Sequence, residues 1–112
     1  MSQVGAYHLL IKNKESRNPI SRRTNQSTKE YEESEARKEL EEIQKVITAE
    51  NFQAMASERS DCGSFARGGD LGMFSRGDMM KPFEDATFSL DINGISDIIK
   101  TDSGLHLIMR YA

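Results

Sequence analysis

The run from Asp61 to Phe88, D-C-G-S-F-A-R-G-G-D-L-G-M-F-S-R-G-D-M-M-K-P-F-E-D-A-T-F, constrains this chain more than any other stretch. It carries the only cysteine, most of the glycines and a dense set of large apolar residues. Gly68-Gly69 marks a turn or a close backbone approach, which glycine tolerates because it lacks a Cβ. Leu71 to Phe74 then reads as a short strand, which Gly77 ends. Lys81-Pro82 starts a helix, since proline loses nothing in a first turn where its N–H would have no partner. A strand followed by a helix in this order turns Leu71, Met79 and Phe83 towards each other. For any one of these residues alone, ordinary core is the better description. Together they describe a small apolar cup for a flat ring, rimmed by the thiol of Cys62.

The rest of the chain supplies elements around this stretch. Ala6 to Ile11 reads as a strand apolar on both faces, hence central, with His8 as its strongly polar member. Lys12 to Gln26 has no periodicity and reads as a loop. It holds Lys12, Lys14, Arg17, Arg22 and Arg23 against the single acid Glu15. Ser27 to Glu30 has the capping-box form and predicts a helix start. Ala36, Leu40, Ile43 and Ile47 follow as its buried stripe, with Glu33/Arg37 and Glu41/Lys45 as surface pairs four apart. A second helix fits Asn51 to Arg59, with Phe52, Met55 and Ala56 inward. Ser60 to Gly63 breaks it and starts a short helical turn. After a helix over Lys81 to Leu90, Asp91 to Gly94 is a turn. Asp97 to Lys100 is a strand, Thr101 to Gly104 a tight reversal, and Leu105 to Tyr111 an alternating last strand. With no repeat or linker, residues 1–112 are expected to form a single domain.

The block A-R-G-G-D-L-G-M-F-S-R-G-D-M-M-K-P-F-E-D-A-T-F resembles the signature of the parvulin-type peptidyl-prolyl isomerases. Y-H-L-L-I-K near the start and T-D-S-G-L-H-L-I-M-R near the end match the same family in order and spacing, from Tyr7 to Arg110. S-D-C before the glycines, and basic residues after H-L-L-I-K, are similar to its Pin-type branch, which acts on phospho-Ser/Thr-Pro. The resemblance implies an α/β (α+β) fold of the parvulin/FKBP-like kind. Its sheet has four strands, mostly antiparallel, with about four helices in the order β-α-α-α-β-α-β-β. It implies a catalytic domain without the aromatic-rich WW module that some members carry in front.

Carried over residue by residue, the resemblance implies a proline pocket of Leu71, Met79 and Phe83. It implies a catalytic set of His8, Cys62, Ser103 and His106, and phosphate binding by Lys12 and Arg17. Cys62 has two roles open, a nucleophile or a polar group beside the twisted amide; the second is favoured because rotation needs no acyl intermediate. Two positions depart from the family. Asn18 stands where a second arginine is usual, so phosphate affinity is weaker or Arg22 and Arg23 substitute; Met80 stands where glutamine is frequent. Three functions remain open: an isomerase preferring phosphorylated Ser/Thr-Pro, a parvulin indifferent to phosphate, and a phospho-Ser/Thr-Pro binding or chaperone module with little turnover.

Composition narrows the partners. A net charge of −3 argues against general nucleic-acid binding, and no apolar run has membrane-spanning length. One cysteine forms no internal disulfide and suits a reducing compartment. The start M-S-Q-V-G shows no secretory pattern. A cytoplasmic monomer is expected, small enough to enter the nucleus passively, with phosphorylated segments of other proteins as partners. Bond rotation needs no cofactor. Zinc is not expected at His8, His106 and Cys62, because paired ligand spacing is missing.

Overall fold

The computed structural model describes residues 2–112. Its elements are β1 (Gln3–Ile11), α1 (Glu33–Gln44), α2 (Phe52–Arg59), a 3-10 turn (Gly63–Arg67), β2 (Asp70–Ser75), α3 (Lys81–Phe88), β3 (Ile99–Thr101) and β4 (Gly104–Arg110). The four strands form one sheet in the order β2-β1-β4-β3, every pair antiparallel. The expected element order holds if the 3-10 turn counts as the third helix.

Both central strands are apolar on both sides, and each side has its own core. On one face Leu9, Ile11, Leu105, Leu107 and Met109 pack under Ala36 and Leu40 of α1 and Phe52 and Ala56 of α2. On the other, Val4, Ala6, Phe74 and Ile108 pack against Phe83 of α3. β4 is therefore buried at successive residues rather than at alternate ones, which corrects the alternating strand read from the sequence. β2 carries a bulge against β1: Ala6 faces Gly72 and Tyr7 faces Asp70, leaving Leu71 as the extra residue. A bulge redirects a side chain, and Leu71 thereby reaches the core under α3.

The first helix begins later than its capping box suggested. Ser27 bridges Ile20, and Thr28 donates its N–H to the carbonyl of Pro19 and its hydroxyl to that of Asn13. These loop contacts hold the segment out of a helix. Glu32 caps α1 instead, in a reciprocal box with Glu35. The surface pairs also differ from expectation: Glu33 reaches Lys100 on β3 at 2.7 Å, and Lys45 pairs with Glu42 at 2.6 Å.

Beyond Tyr7, β2 no longer accompanies β1, and other groups take over that side of the strand. The His8 N–H donates to the Gly69 carbonyl at 2.9 Å. The Leu10 N–H donates to Ser60 Oγ at 3.0 Å, and the Lys12 N–H to Asp61 Oδ2 at 2.9 Å. The Asp61 N–H returns a bond to the Leu10 carbonyl at 2.7 Å. Gly69 lies so close that a Cβ there would sit 2.3 Å from the His8 carbonyl oxygen, at a φ of +82°.

Candidate active site

Every second residue of β1 and β4 points to the α3 face: Val4, Ala6 and His8 from one strand, His106 and Ile108 from the other. His8 sits opposite Ile108 and His106 opposite Leu10, so the two imidazoles are diagonal neighbours. They meet Nδ1 to Nδ1 at 3.0 Å, stacked with their planes 23° apart. One Nδ1 must donate and the other accept, and no space is left between them for a cation. His106 Nε2 meets Thr101 Oγ1 at 2.7 Å, and the same oxygen accepts the Ser103 N–H at 3.1 Å. Burial first, and the neighbouring His8 second, hold His106 well below the usual histidine range. It is neutral at physiological pH. Phe83 turns its ring edgewise to both imidazoles, with centroids 5.5 Å from His8 and 5.1 Å from His106.

Cys62 stands just before the first residue of the 3-10 turn, half-buried. Burial pushes its thiol up, but His8 and the hydroxyl and N–H of Ser64 outweigh that and bring it down to about 6. The Nε2 of His8 is buried and lacks a hydrogen-bond partner of good geometry; the thiol is the group in front of it. At neutral pH Cys62 is therefore largely thiolate.

Leu71, Met79 and Phe83 belong to one cluster, as the sequence suggested. Phe83 is its buried floor, and Leu71 and Met79 lie half-buried against it. The cluster adjoins the histidine pair through the Phe83 ring.

On the far side of Cys62 a cavity of about 190 Å³ is lined by Leu10, Lys12, Arg17, Asn18, Arg22 and Ser103 in addition to Cys62 itself. Ser103 and Cys62 thus line one cavity. Lys12 is held in place by a bond from its Nζ to the Ile20 carbonyl at 2.8 Å. Arg23 lies elsewhere, in a hollow of about 280 Å³ with Ser21, Thr28, Tyr31 and Arg59. The two consecutive arginines diverge, so they do not share a ligand.

Thr101, Ser60, Asp61 and Ser64 adjoin these groups and were given no site role from the sequence, although Ser60 and Asp61 belong to its S-D-C motif. Thr101 carries the histidine pair's outer hydrogen bond. Ser60 and Asp61 tie the segment just before Cys62 to the Leu10 and Lys12 N–H groups of β1, Ser60 Oγ also accepts the Cys62 N–H, and Ser64 lowers the thiol. Their proximity to Cys62 and Ser103 in the sequence was the available signal.

A half-buried thiolate, a hydrogen-bonded imidazole pair and an apolar floor, between a cup and a cationic cavity, suit binding of a peptide around a proline. The PPIC-type PPIase domain of the rotamase family matches residues 8–112. The chain belongs to that family and is a parvulin-type peptidyl-prolyl cis–trans isomerase. It is 45% identical over 116 residues to peptidyl-prolyl cis-trans isomerase NIMA-interacting 1 of Theileria annulata, covering 100% of this chain and 82% of the relative. It is 49% identical over 113 residues to peptidyl-prolyl cis-trans isomerase pin1 of Rhizopus delemar, covering 100% of this chain and 75% of the relative. The solution structure of TbPIN1 matches with a TM-score of 0.88 and 54% identity over 100% of both chains.

Proposed function

We propose that this isomerase prefers bonds in which the residue before proline is phosphoserine or phosphothreonine, and that it works without a covalent intermediate. The barrier it lowers is roughly 18–20 kcal/mol, from the partial double bond of the amide. Planar amide resonance places negative charge on oxygen, and twisting removes it. A thiolate beside that oxygen disfavours the planar form more than the twisted one, which lowers the barrier without breaking a bond. Cys62 and the His8–His106 pair take that place in this reading. The proline ring occupies the cup of Leu71, Met79 and Phe83, and Ser103 faces the preceding residue.

The observation that carries the phosphate preference is the pairing of Lys12 and Arg17 with Cys62 and Ser103 around one cavity. Neither cation forms an ion pair with a carboxylate among the described residues. Phosphate carries nearly two charges and three acceptor oxygens, and such contacts are the strong class of hydrogen bond. The test is a protease-coupled isomerisation assay on phospho-Ser-Pro, Glu-Pro and Ala-Pro peptides. Replacing Lys12 and Arg17 together is expected to lower turnover of the phosphopeptide by about tenfold or more, that of Glu-Pro less, and that of Ala-Pro least. Equal loss on all three peptides would make the loop structural and leave a parvulin indifferent to phosphate. Tight phosphopeptide binding with negligible turnover would leave a binding module.

A further inference from the structure

We infer that Arg22 is the second guanidinium of the phosphate site, approaching from the Cys62 side and standing in for the arginine missing at Asn18. The inference rests on the phosphate reading above and adds a specificity-determining residue to it. Asn18 lines the cavity but offers only a neutral amide, while Arg22 lines the same cavity with a permanent charge. Arg23, its neighbour in sequence, is in a different hollow.

The three cations are tethered at two places, Lys12 and Arg22 at Asp61 and Arg17 at Asp102. Lys12 continues β1, with its N–H on the Asp61 carboxylate at 2.9 Å. The Arg17 N–H donates to the carbonyl of Asp102, in the β3–β4 turn, at 2.7 Å. The Arg22 N–H donates to the carbonyl of Asp61, next to Cys62, at 2.9 Å. Gly63 leaves room for the arginine: even a Cβ there would be 3.5 Å from Arg22 Cδ, an ordinary contact. An oxyanion in the cavity would thus meet an ammonium and two guanidinium groups among its lining residues.

The cations also sense one another. The Lys12 ammonium is lowered from its ordinary value by burial first and by Arg22 next, with Asp61 and Cys62 opposing. Among the described residues, Arg22 pairs with no carboxylate, and neither do Lys12 and Arg17. Like charges left facing each other across a cavity favour an anion between them.

The test compares kcat/KM on phospho-Ser-Pro and Ala-Pro peptides within each protein preparation, so that folded fraction cancels. Arg22→Ala is expected to reduce the phospho/Ala selectivity roughly five- to tenfold, modest for a charge-assisted contact because Arg22 is exposed. The loss should fall mainly on KM and shrink with added salt. Adding Asn18→Arg to Arg22→Ala is expected to restore most of the selectivity, and Arg23→Ala to leave it intact. Selectivity unchanged in Arg22→Ala, equal losses in Arg22→Ala and Arg23→Ala, or no recovery with Asn18→Arg would each overturn the assignment. If selectivity survives Arg22→Ala but collapses when Lys12 and Arg17 are replaced, only the Arg22 assignment falls. If the wild-type protein shows no phosphate selectivity, the reading beneath it falls as well.

Discussion

Phe83→Ala separates the cup from the core. The ring is 3% exposed, with its centroid 6.2 Å from that of Phe74 and its edge on both histidines. Removing a buried phenylalanine costs about 3–5 kcal/mol. A chain of 112 residues at roughly 0.05–0.15 kcal/mol per residue has a stability of about 6–17 kcal/mol. At the unfavourable ends of both ranges about 1 kcal/mol remains, so more than roughly four-fifths of the protein stays folded. Unfolding alone then explains a loss of less than about a quarter of the activity. The cup predicts far more. A proline ring adds three methylenes at about 0.8 kcal/mol each, or about 2.4 kcal/mol when fully buried. Losing between a third and all of that lowers kcat/KM roughly four- to fiftyfold. The assay is isomerisation of a phospho-Ser-Pro peptide, with the folded fraction taken from a urea unfolding curve of the same variant. Activity falling only in step with the folded fraction would refute the cup and leave Phe83 as core.

Cys62→Asp is expected to keep much more kcat/KM than Cys62→Ala, because a carboxylate supplies the negative charge; equal and complete loss in both would restore the nucleophile. An acid group with a lowered pKa is charged above that value, so alkylation of Cys62 by iodoacetamide should rise through a midpoint near pH 6, the value His8 and Ser64 hold it to. A midpoint above pH 8 in the folded protein would contradict the thiolate. Gly69→Ala combines a φ of +82° with a Cβ 2.3 Å from the His8 carbonyl, and is expected to lose about 1–3 kcal/mol or more in urea unfolding; an unchanged midpoint would show that the backbone yields there freely.

The sequence made the α3 side of the molecule legible because its signals there are local. Pro82 begins a helix by its own geometry, Gly69 marks a close approach, and the spacing of Leu71, Met79 and Phe83 survives intact in the folded cluster. Residues 12 to 32 were less legible because distant groups shape them. The Lys14 N–H bonds Tyr31, that of Arg17 bonds Asp102, and that of Arg22 bonds Asp61. These bonds decide that Ser27 does not cap α1 and that Arg22, rather than Arg23, joins Lys12. Leu71 shows a subtler case: simple alternation puts it on the same face as Met73, and the bulge that moves it leaves no mark in composition.

The groups that line β1 beyond β2 have a consequence for how this protein behaves in a crowded solution. A third neighbouring strand along His8, Leu10 and Lys12 would displace Gly69, Ser60 and Asp61, and with them the segment that carries Cys62. A bare strand there would present free N–H and C=O groups to any other extended chain, which is how sheets join edge to edge and aggregate. Gly69, Ser60 and Asp61 satisfy those groups with one carbonyl, two side chains and one N–H. That length of β1 thereby offers no hydrogen-bonding template to another chain. Asp61→Ala would uncover the Lys12 N–H on that side, and self-association would then compete with folding at the mouth of the site.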